Sequence, residues 1–235
     1  MPEQPPASPA PGRRRFFAPH PTGWVRKGVY AVCQRAMVNL FIVVTPGGAL
    51  AIDSGTSPAG IAEALDAAGI AAEAVRHLFL THGDYDHAGG LSAFPKAQVY
   101  LGADEEPLVT QQRARFLGLT HVPRLQTPYQ SLRDGDTIEV DGLSVQAIAT
   151  PGHTPGSMSY LVEGRWLFTG DAIALRRGAM RPFYAPLNMQ RRRARAPLQK
   201  LAQLDGVELV CTGHTGCVDK RSTATAGLRM VEKEA

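Results

Sequence analysis

The stretch from residue 81 to residue 90, Thr-His-Gly-Asp-Tyr-Asp-His-Ala-Gly-Gly, constrains this chain more than any other feature. Two imidazoles and two carboxylates fall within six of its residues: His82, Asp84, Asp86 and His87. The apolar run 78–80 before it is typical of a buried strand, and a double glycine follows. Imidazole and carboxylate are ligands that Zn, Fe and Mn accept in proteins. The stretch therefore predicts a metal site at a strand's end; the competing interpretation is a polar turn that caps a helix.

The spacing of these side chains indicates two ions rather than one. On an irregular loop that leaves a strand, residues two apart tend to face the same way, so His82 and Asp84 can serve one ion. The adjacent pair Asp86 and His87 then turns toward a second ion. The sequence has no helical His-Glu-x-x-His motif, and its three cysteines are too scattered for a sulfur site.

The composition is that of a globular protein. A chain of 235 residues with 44% hydrophobic content can form one large domain or two small ones. The net charge of +4 is mild, so it fits either an anionic partner or simple solubility. The cysteines, Cys33, Cys211 and Cys217, are odd in number and show no paired framework, so we expect free thiols and a cytoplasmic location. No apolar run is long enough for a membrane span.

The N-terminal residues 1–23 are rich in Pro and Arg and lack the apolar core of a signal peptide. Such a composition predicts a disordered tail. The folded domain is expected to cover residues 24–235.

Alternating apolar residues and turn residues predict most of the regular structure. We expect strands at 38–44, 49–52, 77–81, 98–101, 137–140, 143–149, 158–162, 166–168 and 207–210. We expect helices from an N-cap at Ser57 to about residue 68, near 197–204 and at 222–231. Residues 111–135 have weak periodicity and are expected to form a loop-rich excursion.

One pattern recurs along the chain. Metal-ligating residue types follow apolar strands and lie close to glycine at five places: Asp53, the loop 82–87, His153, Asp171 and His214. Any one of these residues alone is more often a cap or a satisfied polar group. Five strand-end placements together favour a shared rim of a β structure, with two sheets packed together and helices outside.

These motifs resemble the metallo-β-lactamase superfamily, whose signature is a loop Asp, then Thr-His-x-His-x-Asp-His, then His, Asp and His in this order. The resemblance covers about residues 24–216. The segments 150–157 and 168–172 look most like the branch that contains glyoxalase II-type thioesterases and lactonases. The resemblance implies an α/β fold, a four-layer αββα sandwich, over 24–235.

The resemblance also implies a role for each ligand, position by position. His82 and His153 would bind a first metal, with Asp84 in the place where the family usually has its second His. The second metal and its surroundings would take the remaining residues: Asp86, His87 and His214 as ligands, Asp171 as the bridge and Asp53 as a supporting residue. A carboxylate at position 84 can still ligate, as Glu does at the matching place in flavodiiron proteins. Two divalent metal ions are therefore expected, either Zn or, as alternatives, Mn or Fe.

Hydrolysis is the leading functional interpretation. Two divalent ions that share a hydroxide could cleave a small ester, thioester or lactone, and Asp86 could receive a proton during turnover. One alternative is a mononuclear iron dioxygenase of the persulfide type, held by His82, Asp84 and His153. Another is a non-catalytic metal-binding partner protein.

The arginines between Asp171 and His214 form either a solvated surface or a site for an anionic substrate group. The candidate substrate-binding residues are Arg177, Arg181, Phe183 and Tyr184, of which the aromatic pair could form an apolar wall. The mild net charge gives little support for nucleic acid as a partner. A homodimer is left open.

Overall fold

The computed structural model describes residues 17–115 and 119–219. Its first sheet has seven strands that follow one another in chain order. They are β1 (Gly23–Arg26), β2 (Val29–Gln34), β3 (Val38–Thr45), β4 (Gly48–Ile52), β5 (Val75–Phe79), β6 (Gln98–Gly102) and β7 (Tyr129–Leu132). Strands β1 to β4 pair antiparallel, whereas β4 to β7 pair parallel.

The second half of the chain forms another sheet and a separate hairpin. In chain order the strands are β8 (Thr137–Val140), β9 (Leu143–Ala149), β10 (Met158–Val162), β11 (Trp166–Phe168), β12 (Ile173–Arg176), β13 (Ala179–Pro182), β14 (Leu209–Thr212) and β15 (Gly216–Asp219). The six-stranded sheet has the order β15-β14-β11-β10-β9-β8, and β12 pairs only with β13. Within the sheet, β14 runs parallel to β11 and the other neighbours are antiparallel.

Helices cover the outer face of each sheet. They are α1 (Ile61–Asp66), α2 (Tyr85–Ala88), α3 (Glu106–Val109) and α4 (Ala196–Ala202). Strand β3 shows why both faces of the first sheet are apolar: Phe41 points into the core between the sheets, whereas Leu40 packs toward α1. Leu198 and Leu201 of α4 cover the second sheet. The predicted αββα sandwich is therefore confirmed.

The parallel pairs place the functional loops. Because parallel neighbours end at the same edge of a sheet, Asp53 after β4 lies beside the loop that follows β5. The pair β11 and β14 does the same for Asp171 and His214 in the second sheet. Both edges face one rim of the sandwich.

The helix expected to have its N-cap at Ser57 begins three residues later. Its N-cap is Gly60, in a left-handed conformation with φ of 76°. The side-chain amide of Gln34 prevents an earlier start: its Oε1 accepts the N–H of Thr56 at 2.7 Å and its Nε2 donates to the carbonyl of Ser57 at 2.9 Å. These bonds use the backbone groups of a first helical turn.

The expected loop 111–135 contains strand β7 at its end. Its middle residues, Gln130 and Ser131, are exposed and polar, so the local pattern carries no strand signal. Pairing with β6 forms the strand instead. The helix predicted at 222–231 lies outside the described residues.

The expectation of three free thiols is wrong for Cys211 and Cys217, which form a disulfide. They face each other across the antiparallel pair β14 and β15, with Cα atoms 4.2 Å apart, a register that spacing alone does not reveal. Cys33 is free. Disulfides are rare in reducing compartments, so the cysteines no longer support a cytoplasmic location.

The predicted tail 1–23 overlaps the fold at its C-terminal end. The N–H of His20 donates to Asn39 Oδ1 at 2.7 Å, and the N–H of Ala18 donates to the carbonyl of His214 at 2.8 Å. Residues 17–22 therefore belong to the domain, and residues 1–16 lie outside the described part. Within the described residues, no helix is long and apolar enough to cross a membrane.

Tyr160 joins the two sheets and gives a test of the fold. It is fully buried on β10, and its hydroxyl donates to the carbonyl of Leu80, next to the site, at 2.7 Å. Tyr160→Phe leaves that carbonyl without this donor, so we expect the free energy of unfolding in urea to fall by about 1–3 kcal/mol. Tyr129→Phe at the sheet edge is the control, with an expected change within about 0.5 kcal/mol. Equal effects of the two substitutions would show that the Tyr160 hydroxyl does not join the sheets.

Candidate metal centre

Four imidazoles converge on one rim with the same orientation. Each has its Nδ1 against an oxygen of the protein: Asp53 Oδ2 for His87 at 2.8 Å, the Met37 carbonyl for His214 at 2.7 Å, Thr81 Oγ1 for His82 at 3.0 Å and Asn188 Oδ1 for His153 at 3.4 Å. Acceptors at Nδ1 fix the proton there and leave the lone pair on Nε2. The four Nε2 atoms therefore face the centre as electron-pair donors.

Asp53 organises the loop that carries two of these imidazoles. It follows β4 in a left-handed conformation, with φ of 62°, and is buried. Its Oδ1 accepts the backbone N–H of Thr81 at 2.7 Å, and its carboxylate also accepts the Thr81 hydroxyl. Because that hydroxyl then accepts His82 Nδ1–H, one carboxylate orients both His82 and His87.

Glycines near the ligands are required by close packing. A Cβ at Gly90 would collide with the carbonyl oxygen of Ser54, which explains part of the double glycine after α2. A Cβ at Gly213 would lie 2.7 Å from His87 Cε1 and 2.8 Å from Asp171 Oδ1. A side chain at position 213 would push His87 and Asp171 out of position.

The second cluster, which we define as Asp86, His87, Asp171 and His214, has the spacing of metal ligands. His214 Nε2 lies 3.3 Å from Asp86 Oδ2, 3.2 Å from Asp171 Oδ2 and 3.4 Å from His87 Nε2. His87 Nε2 lies 3.6 Å from Asp171 Oδ1 and 3.9 Å from Asp86 Oδ2. Ligands bonded at about 2.1 Å to a tetrahedral ion are about 3.4 Å apart.

Two features show that this cluster fits a divalent ion. His87 Nε2 and His214 Nε2 lie 3.4 Å apart, which is the separation of two ligands on one tetrahedral ion. The buried Asp171 Oδ1 has no hydrogen-bond partner among the described residues. Such an ion would be held by two imidazoles and two carboxylates, a set that suits Zn, Mn or Fe.

The first cluster, which we define as His82 and His153 with Asp171 between the two clusters, has a different environment. Asp171 Oδ2 lies 3.4 Å from His153 Nε2, and the buried His82 Nε2 has no hydrogen-bond partner in the described part. Asp84, the predicted ligand, is paired with Arg115: Nε donates to Oδ1 at 2.7 Å and Nη2 to Oδ2 at 2.8 Å. Arg115 Nη2 also lies 2.9 Å from His153 Nε2.

Sequence reasoning did not find Arg115. It lies in the weakly periodic segment 111–135, and its contact with Asp84 spans 31 residues. The side chain is 4% exposed, which is unusual for arginine unless it is paired. A buried cation beside two metal-ligating positions leaves no local signature in the sequence.

The carboxylates give the second cluster a negative potential. Burial lowers the pKa of His87, but Asp53, Asp171 and Asp86 outweigh it and raise that pKa to about 9. Burial also lowers the pKa of His214, but Asp171 and Asp86 outweigh burial and raise that pKa to about 11. Burial raises the pKa of Asp171, yet the facing histidines hold it well below its usual range. A site with this potential attracts cations.

Asp84 is held ionised in its own pair. Burial raises the pKa of its carboxyl, but the facing His153, His82 and Arg115 outweigh burial and hold the pKa well below its usual range. His82 faces the opposite balance, since burial and the neighbouring His87 lower its pKa. Its Nε2 lone pair is therefore available as a donor.

Glu105 is a second residue that sequence reasoning missed. Its buried carboxylate accepts Gly83 N–H at 2.9 Å, the Thr154 hydroxyl at 2.7 Å and Gly156 N–H at 3.1 Å. It therefore ties the loop of His82 to the loop of His153. Burial raises the pKa of Glu105 to about 7 despite these hydrogen bonds.

The predicted substrate residues fall into two groups. Phe183 lies at the rim, with its ring centroid 5.1 Å from that of His153 and 5.8 Å from that of His214. Tyr184 packs against Phe183 and Phe17. Arg181 lies on β13, and Arg177 is exposed at the turn between β12 and β13, with φ of 53°.

A cleft of about 1000 Å³ opens beside the first cluster. It is lined by arginines together with polar and apolar side chains: Arg113, Arg115, Asn188, Met189, Gln190, Arg191, Arg192 and Arg193. Part of the predicted arginine-rich segment thus faces the site, although Arg177 and Arg181 are not among these lining residues. These arginines bring positive charge to the cleft.

The family model of the metallo-β-lactamase superfamily matches residues 34–214. The chain is 34% identical over 156 residues to the uncharacterised protein YobT of Bacillus subtilis, covering 60% of this chain and 64% of the relative. It is 30% identical over 178 residues to a hydroxyacylglutathione hydrolase of Xanthomonas campestris, covering 74% and 58%. With a hydroxyacylglutathione hydrolase of Salmonella typhi, 34% identity extends over 58% of this chain and 47% of the relative. The chain thus spans about half to two thirds of these relatives.

Solved structures show the same fold. A β-lactamase from Chitinophaga pinensis superposes with a TM-score of 0.67 at 22% identity, covering 84% of this chain and 79% of that one. A metallo-β-lactamase of Bradyrhizobium japonicum superposes with a TM-score of 0.61 at 18% identity, covering 85% and 79%. At this identity the likeness concerns the fold alone.

Glu105→Gln tests the tie between the two loops. The amide replaces one acceptor oxygen by a donor that faces N–H groups, so we expect a loss of about 1–3 kcal/mol in the free energy of unfolding. Between its unfolded pKa and its folded pKa of about 7, folded Glu105 holds a proton that the unfolded chain lacks. Wild-type stability therefore falls with rising pH across this window, whereas residue 105 of the variant does not titrate. Urea unfolding at several pH values should show the gap between the two proteins narrowing as pH rises from about 5 to about 8, and a constant gap would contradict the raised pKa.

Proposed function

We propose that this chain, which belongs to the metallo-β-lactamase superfamily, is a metal-dependent hydrolase that cleaves a small ester, thioester or lactone. The observation that carries the proposal is the second cluster, where two Nε2 lone pairs and two carboxylates converge at ligand spacing on a solvent-reached rim. Such a centre suits hydrolysis because no protein nucleophile is needed.

The residues of the site have different roles. A divalent ion bound there supplies Lewis acidity, which acidifies water and polarises a carbonyl oxygen. His87 and His214 are kept in the ligating tautomer by Asp53 and the Met37 carbonyl. The Asp86 side chain is 24% exposed against 5% for Asp171, so Asp86 is the carboxylate that can exchange a proton with solvent. We therefore assign proton transfer to Asp86.

Two observations support an acyl substrate that carries a negative charge. Two relatives are named hydroxyacylglutathione hydrolases, and this name specifies an acyl substrate. Arg113, Arg191, Arg192 and Arg193 line the cleft and offer donors to a carboxylate or phosphate. Phe183, against the rings of His153 and His214, supplies an apolar wall for the acyl chain.

The two alternatives have less support. A persulfide-type iron dioxygenase would need His82, Asp84 and His153 for its metal, but Arg115 is paired with Asp84 and its Nη2 lies 2.9 Å from His153 Nε2. A non-catalytic metal-binding partner protein would not need a cleft lined by arginines beside the centre. The second cluster suits Zn, Mn and Fe alike, so the proposal covers each of these metals.

Removal of one second-cluster ligand tests the proposal. His214→Ala deletes a nitrogen that would bind the metal directly. Loss of a residue that only supports a metal ligand costs up to about 100-fold in activity, so kcat/KM on a panel of anionic thioesters, esters and lactones should fall by more than that. His121→Ala removes an exposed imidazole from the segment after α3 and is the matched control. Chelation should abolish wild-type turnover, and added Zn or Mn should restore it. Equal activity of both variants, or turnover that survives complete chelation, would refute the metal-dependent mechanism.

A further inference from the structure

We propose that the guanidinium of Arg115 takes the place of the first metal ion, so that this protein holds a single divalent ion, in the second cluster. The inference rests on the proposed metal-dependent function but not on the identity of the substrate. It replaces the two-metal centre that the sequence motif implies.

The geometry of Arg115 is that of a fitted cation. Its planar fork meets both oxygens of Asp84, with Nε 2.7 Å from Oδ1 and Nη2 2.8 Å from Oδ2. This two-point arrangement is the strong form of an arginine–carboxylate pair. Asp84, which stands where the family has a metal-ligating His, is thus the matching partner of an arginine.

The Arg115–Asp84 pair fills the space in front of His153 Nε2. Arg115 Nη2 lies 2.9 Å from that Nε2, and Asp84 Oδ2 lies 3.1 Å from it. A metal ion at His153 would have to displace the guanidinium.

The charges lead to the same conclusion. Arginine keeps its proton in proteins, so the buried Arg115 is a permanent cation beside the first cluster. Asp84 is engaged by Arg115, so the carboxylate left to an ion between His82 and His153 is Asp171, which the second cluster shares. Asp86 and Asp171 provide two negative charges, which balance one divalent ion in the second cluster.

Arg115 is held from several directions. Its backbone N–H donates to the carbonyl of Thr120 at 2.5 Å, and its Nη2 donates to the carbonyl of Leu187 at 3.1 Å. The first bond fixes the backbone of Arg115 and the second helps to fix its guanidinium at the rim, where Arg115 also lines the cleft. The positive charge that a first ion would bring to a substrate oxygen comes here from a side chain.

Metal content of the full chain tests the proposal directly. After equilibrium dialysis against Zn²⁺, mass spectrometry should find one Zn per wild-type chain. The double variant Arg115→Met and Asp84→His removes the cation and restores an imidazole, so its content should rise to two. Arg113→Met removes an exposed arginine two positions away and should leave the content at one. His87→Ala should lose the single ion, which locates it in the second cluster.

The outcomes separate the two proposals. Two ions in the wild-type chain, or one ion in a folded double variant, would overturn the role of Arg115 and leave the hydrolase proposal standing. No bound ion would overturn both. If the double variant does not fold, electron paramagnetic resonance of the Mn²⁺-loaded wild type decides: a single uncoupled ion supports the proposal, and the spectrum of a coupled pair overturns it.

Discussion

The candidate site depends on the buried carboxylate of Asp53. It accepts the backbone N–H and the hydroxyl of Thr81, and it holds His87 Nδ1 at 2.8 Å. A buried carboxylate is tolerated only where donors surround it, so these contacts fix the conformation of the loop as much as the loop fixes them. Through Thr81 the same carboxylate also orients His82. Two imidazoles thus receive their direction from one residue at the end of β4.

The rest of the rim is built from ties between loops. Glu105 connects the segment of Gly83 to that of Thr154, and Tyr160 connects the two sheets at Leu80. Buried polar groups that are satisfied in this way specify one arrangement, because each misplacement leaves a donor or acceptor without a partner. Two buried atoms that could bind a metal, His82 Nε2 and Asp171 Oδ1, have no hydrogen-bond partner among the described residues, and both face the centre.

Local pattern was enough for the parts of the fold that local interactions decide. Strands β8, β9, β10 and β11 have the bounds expected from alternation and turn residues. The helix after Ser57 starts late because the side chain of Gln34, 22 residues away from Thr56, binds the backbone that precedes it. The pairing of Cys211 with Cys217 depends on a strand register that neither residue encodes alone. Where a distant partner decides the conformation, local propensity is overridden.

The same distinction between local patterns and distant contacts applies to the candidate site. The five strand-end motifs lie together at the rim, as parallel strands that end at one edge require. Arg115 and Glu105 were missed because their partners lie 31 and 49 residues away, and a single arginine or glutamate carries no motif. The departure at Asp84 was visible in the sequence, but its physical reason, an arginine in the facing loop, was not. A carboxylate in a histidine's place is a signal to search for a buried cation.

The central claim is that one divalent ion lies in the second cluster while Arg115 occupies the first. Anomalous diffraction at the Zn edge, from crystals of the full chain grown with excess Zn²⁺, tests it most directly. The account predicts one anomalous peak per chain, about 2.0–2.2 Å from the ligand atoms of His87 and His214, with the guanidinium of Arg115 still on Asp84 and His153. A second peak between His82 and His153, with Arg115 displaced, would contradict it.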